Sequence, residues 1–239
     1  MKAKRPGPDR IDAKDPLNSV RPRLFGCANS ASHADEGLHL MLMILLVGAF
    51  IWSSWDMAEQ RNVWGLHVAP VGMAALAIIG LYPFFHFSRR SYLWSWGFLV
   101  FLLVGAHYGD THVPLFVWAE ATGWVPEHSF DRLAHVLQGV VPAMMLNEVL
   151  AAGGIVSSAR WRVFIVIACS LALSASYEIV EWIIASMAET RPTDFVTEAG
   201  GQTWDTQWDM ALALAGAAAS PFITVARTAP ADKSGDGPN

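Results

Sequence analysis

The sequence predicts an all-α polytopic membrane protein with six transmembrane helices and both termini in the cytoplasm. Three observations predict it. Of 239 residues 53% are hydrophobic and only 15% charged, where an ordinary soluble domain carries about 25% charged residues. Six apolar segments recur, at roughly 38–55, 64–85, 92–108, 132–151, 162–184 and 207–226. Lys and Arg also divide unequally between the segments that join them, as cytoplasmic and external loops do. Eleven Trp and twelve Phe suit aromatic belts at the two bilayer interfaces.

In chain order, residues 1–36 are polar, rich in Pro, Lys, Arg and Asp, and lack helical periodicity, so they predict a disordered cytoplasmic tail. A long basic stretch, with no small-residue cleavage site after the first apolar run, argues against a signal peptide. Residues 37–227 form the six-helix domain and 228–239, with ADKSGDGPN, a frayed cytoplasmic tail. Pro70 and Pro83 in the second span and Pro142 in the fourth predict kinks. Small residues in GMAALAIIG and ALALAGAAAS predict close helix packing in the second and last spans.

Orientation follows from the cations. One side holds Lys2, Lys4, Arg5, Arg10, Lys14, Arg21, Arg23, Arg89, Arg90, Arg160, Arg162, Arg227 and Lys233; the other holds Arg61, Arg132 and Arg191. Thirteen against three, or six against three without the first tail, puts both termini inside. These cations are topology signals, so nucleic-acid binding has no support, and nothing identifies a protein partner. Cys27 and Cys169 are the only cysteines and predict neither a disulfide nor a thiolate metal site.

With that topology the unusual polar residues gather on the outer side. His107, Asp110 and His112 close the third span, and Asp131 and His135 open the fourth, four apart on one helical face. Glu178 and Glu181, three apart in SASYEIVEW, lie in the outer half of the fifth; Asp205 and Asp209, in TWDTQWDM, begin the sixth. Ionisable groups in a bilayer segment cost several kcal/mol unless paired, ligated or facing water. Each has a plainer role available: helix capping for Asp131 and Asp205, the helix dipole for Asp209, interior hydrogen bonding for His135, interface polarity for Asp110 and His112. Glu178 and Glu181 resist it most, being embedded in apolar sequence. Glu148, with Asn147 beside it, reaches the opposite interface and stands outside the group; His67 and His86 read as packing residues.

Arg132 alone cannot balance these acids. A divalent cation could, since Asp, Glu and His are ligands for Zn, Mn, Fe or Mg. Protonated carboxylates are the other solution. The first predicts metal-assisted hydrolysis of a lipid or envelope substrate, with His107, Asp131, His135, Asp205 and Asp209 as candidate ligands and Glu178 or Glu181 as general base. The second predicts a proton- or cation-coupled carrier, although no inverted repeat is evident. A structural or partner-binding membrane protein is the third alternative. The spacings include no HExxH, paired ExxH or HxxxH fingerprint.

The motifs VGAHY, VPLFVW, FDRLAHVLQGVVPA with Glu148, SASYEIVEW and WDTQWDMALALAG, in order between about Trp52 and Ala217, resemble the YjdF-type bacterial inner-membrane proteins, a family of unknown function. Helix number and Asp/His placement are more distantly similar to VanZ-like membrane proteins. The resemblance implies a polytopic inner-membrane fold and transfers no activity. It departs at Gly109–His112, where an aromatic and small residues are expected, and at Gly201, Gln202 and Thr203, where the family pattern carries an acid.

Overall fold

In the computed structural model, residues 33–55, 61–187 and 204–223 are described. Seven helices occupy them: α1 (His33–Ser53), α2 (Arg61–Leu81), α3 (Arg89–Tyr108), α4 (Pro114–Ala121), α5 (Ser129–Ala152), α6 (Ala159–Met187) and α7 (Asp205–Ile223). Three have spans long and apolar enough to cross a membrane: Glu36–Ser53, Ser129–Ala152 and Ala159–Ile183; His67–Leu81 is a shorter apolar helix. Of the tails expected over 1–36 and 228–239, residues 1–32 and 228–239 lie outside the described residues, while residues 33–36 are the first turn of α1 and not tail.

Long apolar runs form these helices, α2, α5 and α7 carrying Pro70, Pro142 and Pro221 inside them, and their outward faces suit a bilayer. Ile44, Val47 and Ile51 on α1, and Phe164, Ile179 and Trp182 on α6, are exposed. A water-soluble bundle would carry charge there, whereas hydrocarbon accepts these side chains at no cost. The six apolar segments all recur as helices. A seventh helix, α4, was not expected from the sequence. It is one short stretch, PLFVWAEA, that starts on Pro114 at its first turn, where a missing N–H costs nothing.

α5 is the central element, packed on α3, α6 and α7, while α3 packs on α1, α2 and α5. The chain therefore forms two three-helix units, α1–α3 and α5–α7, joined along α3 and α5. Leu46, Val68, Val71, Leu99, Leu103 and Ala106 fill the first unit; Ala143, Leu150, Val166 and Ala217 fill the second. Phe101 of α3 stacks on Phe130 of α5 at 4.2 Å, 12° from parallel.

At the far end of that seam Glu148 takes up the start of α3. It accepts hydrogen bonds from Ser88 N (2.8 Å), Ser88 Oγ (2.6 Å) and Ser91 Oγ (2.6 Å). Ser88 is the N-cap of α3, so a carboxylate from another helix meets the positive end of its dipole. This fixes α3 and α5 as antiparallel and explains why Glu148 stands apart from the other acids.

Candidate functional site

Residues one turn apart on a helix share a face, and α5 uses this twice at its first turns. Its N-cap is His128, in the left-handed region at φ 61°, with no side-chain cap; the N–H of Ser129 instead donates to Glu120 Oε1 of α4 at 3.0 Å. Asp131 is thus not the cap that its position allows. It lies two residues inside the helix, one turn before His135, and its Oδ1 stands 3.4 Å from His135 Nε2. Asp209 Oδ1 of α7 stands 3.7 Å from the same nitrogen. Ligand atoms of Asp131, His135 and Asp209 all lie within 4.8 Å of one another.

α7 reaches this position because glycines let it approach α5. A Cβ on Gly139 would run into the carbonyl oxygen of Ala213, and one on Gly216 into that of Val136. Only hydrogens fit between the two backbones at these points. The crossing sits about one turn from the trio and sets the separation of Asp209 from His135.

The other face of the imidazole is occupied by oxygen acceptors. Gln138 Oε1 is 2.9 Å from Nδ1 and Glu178 Oε1 of α6 is 3.8 Å from it. A proton on Nδ1 has Gln138 Oε1 as its acceptor. With the proton on Nδ1, Nε2 faces two carboxylates, and either a metal ion or a second proton on Nε2 satisfies all three groups. The spacing suits a metal. Charge-assisted N–H···O bonds run at about 2.7–2.9 Å, whereas ligand atoms around a tetrahedral cation at about 2.0–2.2 Å are separated by about 3.3–3.6 Å. Glu178, 6% exposed, completes the group with Oε1 free of hydrogen bonds.

The remaining expected residues take separate places. Glu181 is half-buried and hydrogen-bonded to Tyr177, one turn earlier on α6. Asp110 Oδ2 is 4.0 Å from His67 Nε2. Asp205 is the first residue of α7, one turn before Asp209, and is not among the three grouped ligand residues. His107 lies outside the trio: its ring packs 4.2 Å from that of Trp52 and 4.6 Å from that of Tyr108, and its Nδ1 is buried without a partner. His112 is exposed and Cys169 is a free, exposed thiol. Gln138 was missed in the sequence, although its i+3 spacing from His135 puts both on one face.

Fold and site together define a helical membrane protein with a buried Asp–His–Asp group between two of its central helices. The family model described as "Predicted membrane protein (DUF2238)" matches residues 38–229. The inner membrane protein YjdF of Escherichia coli (strain K12) is 32% identical over 162 residues, 67% of this chain and 76% of that protein. The chain belongs to this YjdF-type family and is a multi-pass protein of the bacterial inner membrane. No solved structure gives a significant match.

Proposed function

We propose that residues 37–227 are a single six-span domain with cytoplasmic tails on either side, and that its outward-facing centre is a metal-dependent hydrolase site for an ester in a lipid or envelope substrate. The orientation rests on the Lys and Arg asymmetry, which puts the start of α5 and α7 outside. The metal rests on one observation above all. His135 Nε2, its lone pair directed by the Nδ1–Gln138 bond, meets oxygens of Asp131 and Asp209 at 3.4 and 3.7 Å. An imidazole nitrogen with two carboxylates is a donor set that suits an ion such as Zn²⁺ better than Mg²⁺, which prefers oxygen ligands and water. His107 and Asp205 have no part in this ligand set.

A cation held here supplies Lewis acidity toward a water and toward the ester oxygen. Glu178, buried and unpartnered on Oε1, accepts a proton from the attacking water. A new bond forms between water oxygen and the ester's central atom, the ester C–O or P–O bond breaks, and Glu178 returns the proton to the departing alkoxide. Glu181, hydrogen-bonded to Tyr177, is the other carboxylate available for that role.

A proton-coupled carrier is the second reading, because a proton on Nε2 is also a cation. A single hydrogen there serves one carboxylate at a time, and both approach at similar distances. On α3 and α5, moreover, the buried residues between the acidic end and Glu148 include Leu99, Leu103, Val140, Val141, Ala143 and Met144, a poor lining for a polar path.

Elemental analysis of detergent-purified protein tests the proposal. Wild type is expected to hold about one divalent ion per chain; His135→Ala loses it, and Gln138→Leu weakens retention by about 10- to 100-fold, as partners of ligating His do. Glu178→Gln keeps the metal and loses hydrolysis. Folded wild type without metal would sink the centre.

A further inference from the structure

We propose that α4 is a re-entrant helix seated in the bilayer leaflet at the acidic end, with Leu115 and Trp118 docked among phospholipid acyl chains and its opposite face fixed on the α3–α5 seam. Depth is the first ground. The far end of the seam is pinned where Glu148 meets Ser88, and Arg89 and Arg90 follow at once, charges that mark the edge of the hydrocarbon. Phe101 lies thirteen residues after Ser88, and Phe130 eighteen before Glu148. At about 1.5 Å per residue they sit about 20 and 27 Å from that edge, within a hydrocarbon core about 30 Å thick. The ring of Phe116 in α4 meets both, 6.2 Å from Phe101 and 5.2 Å from Phe130. The helix therefore lies beside the bundle at membrane depth, not above it in water.

The faces of α4 divide as this placement requires. Phe116 and Glu120, four apart, share one side. There the ring packs on the seam, and Glu120 Oε1 accepts from the N–H of Ser129 at 3.0 Å, holding the start of α5. Val117 and Ala121, each one residue further on, line a cavity of about 390 Å³ with Thr111, Glu127 and His128. Leu115 and Trp118, three apart, belong to neither side and are 68% and 51% exposed. No residue from Val113 to Ala119 is charged, and the one acid of the helix is turned inward. This outward face offers water nothing, whereas acyl chains accept it and an interfacial indole suits the leaflet.

The backbone supplies the third ground, because lipid offers no partner to an open N–H or C=O. A short helix is mostly ends, and its first N–H and last C=O groups lack partners within it. α4 begins on Pro114, which has no N–H, and Val113 O takes the N–H groups of Phe116 and Val117. At the other end Thr122 turns back on the helix. Its N–H donates to Trp118 O at 3.1 Å, and its hydroxyl reaches Trp118 O at 2.9 Å and Ala119 O at 3.1 Å. Trp124 N donates to Ala119 O at 2.9 Å and Gly123 N to Glu120 O at 3.0 Å, with Gly123 in the left-handed region at φ 73°. Three of the last four carbonyls are thus paired before the chain reaches the exposed Glu127.

The test puts a nitroxide on single cysteines of the full chain, with Cys27 and Cys169 changed to Ser, in vesicles of phosphatidylethanolamine and phosphatidylglycerol. Leu115→Cys and Trp118→Cys report the proposed face; Ile44→Cys, exposed on α1, reports lipid, and Glu127→Cys, exposed after α4, reports water. Collisions with oxygen relative to those with a water-soluble nickel chelate should match Ile44 at both α4 positions and exceed Glu127 by about tenfold, since hydrocarbon excludes the chelate. Ratios equal to that at Glu127 overturn the proposal. Spin–spin broadening at Leu115 that disappears on dilution with unlabelled chain puts a second copy on this face and overturns lipid as its occupant. Because a label adds bulk to so short a helix, hydrogen exchange of the unlabelled chain in the same vesicles is a second readout. Eight helical residues in water are marginal and exchange fast, so residues 114–121 should be protected as α3 is only if they lie in lipid. Fast exchange there with α3 protected overturns the proposal as well.

Discussion

His135 and Glu148 sit thirteen residues apart on one helix, and each shows how a polar group is kept in a membrane segment. At His135 the solution is chemical: donors and acceptors are arranged so that one nitrogen has only acceptors before it. At Glu148 the solution is structural, because three donors at the start of α3 satisfy both carboxylate oxygens. Removing that acceptor leaves the Ser88 N–H and two hydroxyls to find others, at about 1–3 kcal/mol. Glu148→Ala should lower the melting temperature of the detergent-solubilised protein, and Glu148→Gln, with one acceptor oxygen, should fall between. Equal melting of Ala variant and wild type would show that the cap contributes nothing. The Asp131–His135 pair was legible in the sequence because i,i+4 spacing is local. The partners of Glu148 were not, since a bond across 60 residues leaves no trace in spacing.

Among elements, the α5–α7 contact governs the site. Helices in lipid gain little from burying apolar area against each other, so close backbone approach carries much of their association. Gly139 and Gly216 provide it, one on each helix. In Gly139→Ala the new methyl meets backbone rather than a movable side chain, so α5 and α7 must part, at about 1–3 kcal/mol. Asp209 moves with α7, and metal retention should fall together with stability. Gly97→Ala is the control: nothing lies within 4 Å of its added Cβ. That change should keep the metal and be neutral or stabilising by up to about 1 kcal/mol, the helix preference for Ala over Gly. Metal content and melting temperature of the two variants check both. The small residues of ALALAGAAAS announced close packing in α7, but Gly139, a single glycine in α5, did not identify itself as the partner. α4 escaped the sequence because eight residues after a chain turn are too few to display helical periodicity.

For the whole molecule, the sequence was most informative where physics is one-dimensional. Hydrocarbon thickness limits helix length, so the six long apolar helices could be read from order alone, and loop cations supply the expected sidedness. Depth along each helix then grouped His107, Asp110, Asp131, His135, Glu178, Glu181, Asp205 and Asp209 at the outer end, and the structure gathers Asp131, His135, Glu178 and Asp209 from that set. Rotation about each helix axis depends on packing, and it is rotation that turns His107 onto Trp52 and Glu181 toward Tyr177 instead of toward the trio. Sidedness carries the greatest weight for function, since it decides whether the acidic end meets the outer leaflet. In a background with Cys27 and Cys169 replaced by Ser, a single cysteine at Thr122, exposed after α4, should react with a membrane-impermeant maleimide in spheroplasts. One at Ser158, exposed between α5 and α6, should react only after the membrane is opened. The reverse pattern would put the acidic end in the cytoplasm. It would rule out an outer-leaflet substrate while leaving the Asp131/His135/Asp209 geometry untouched.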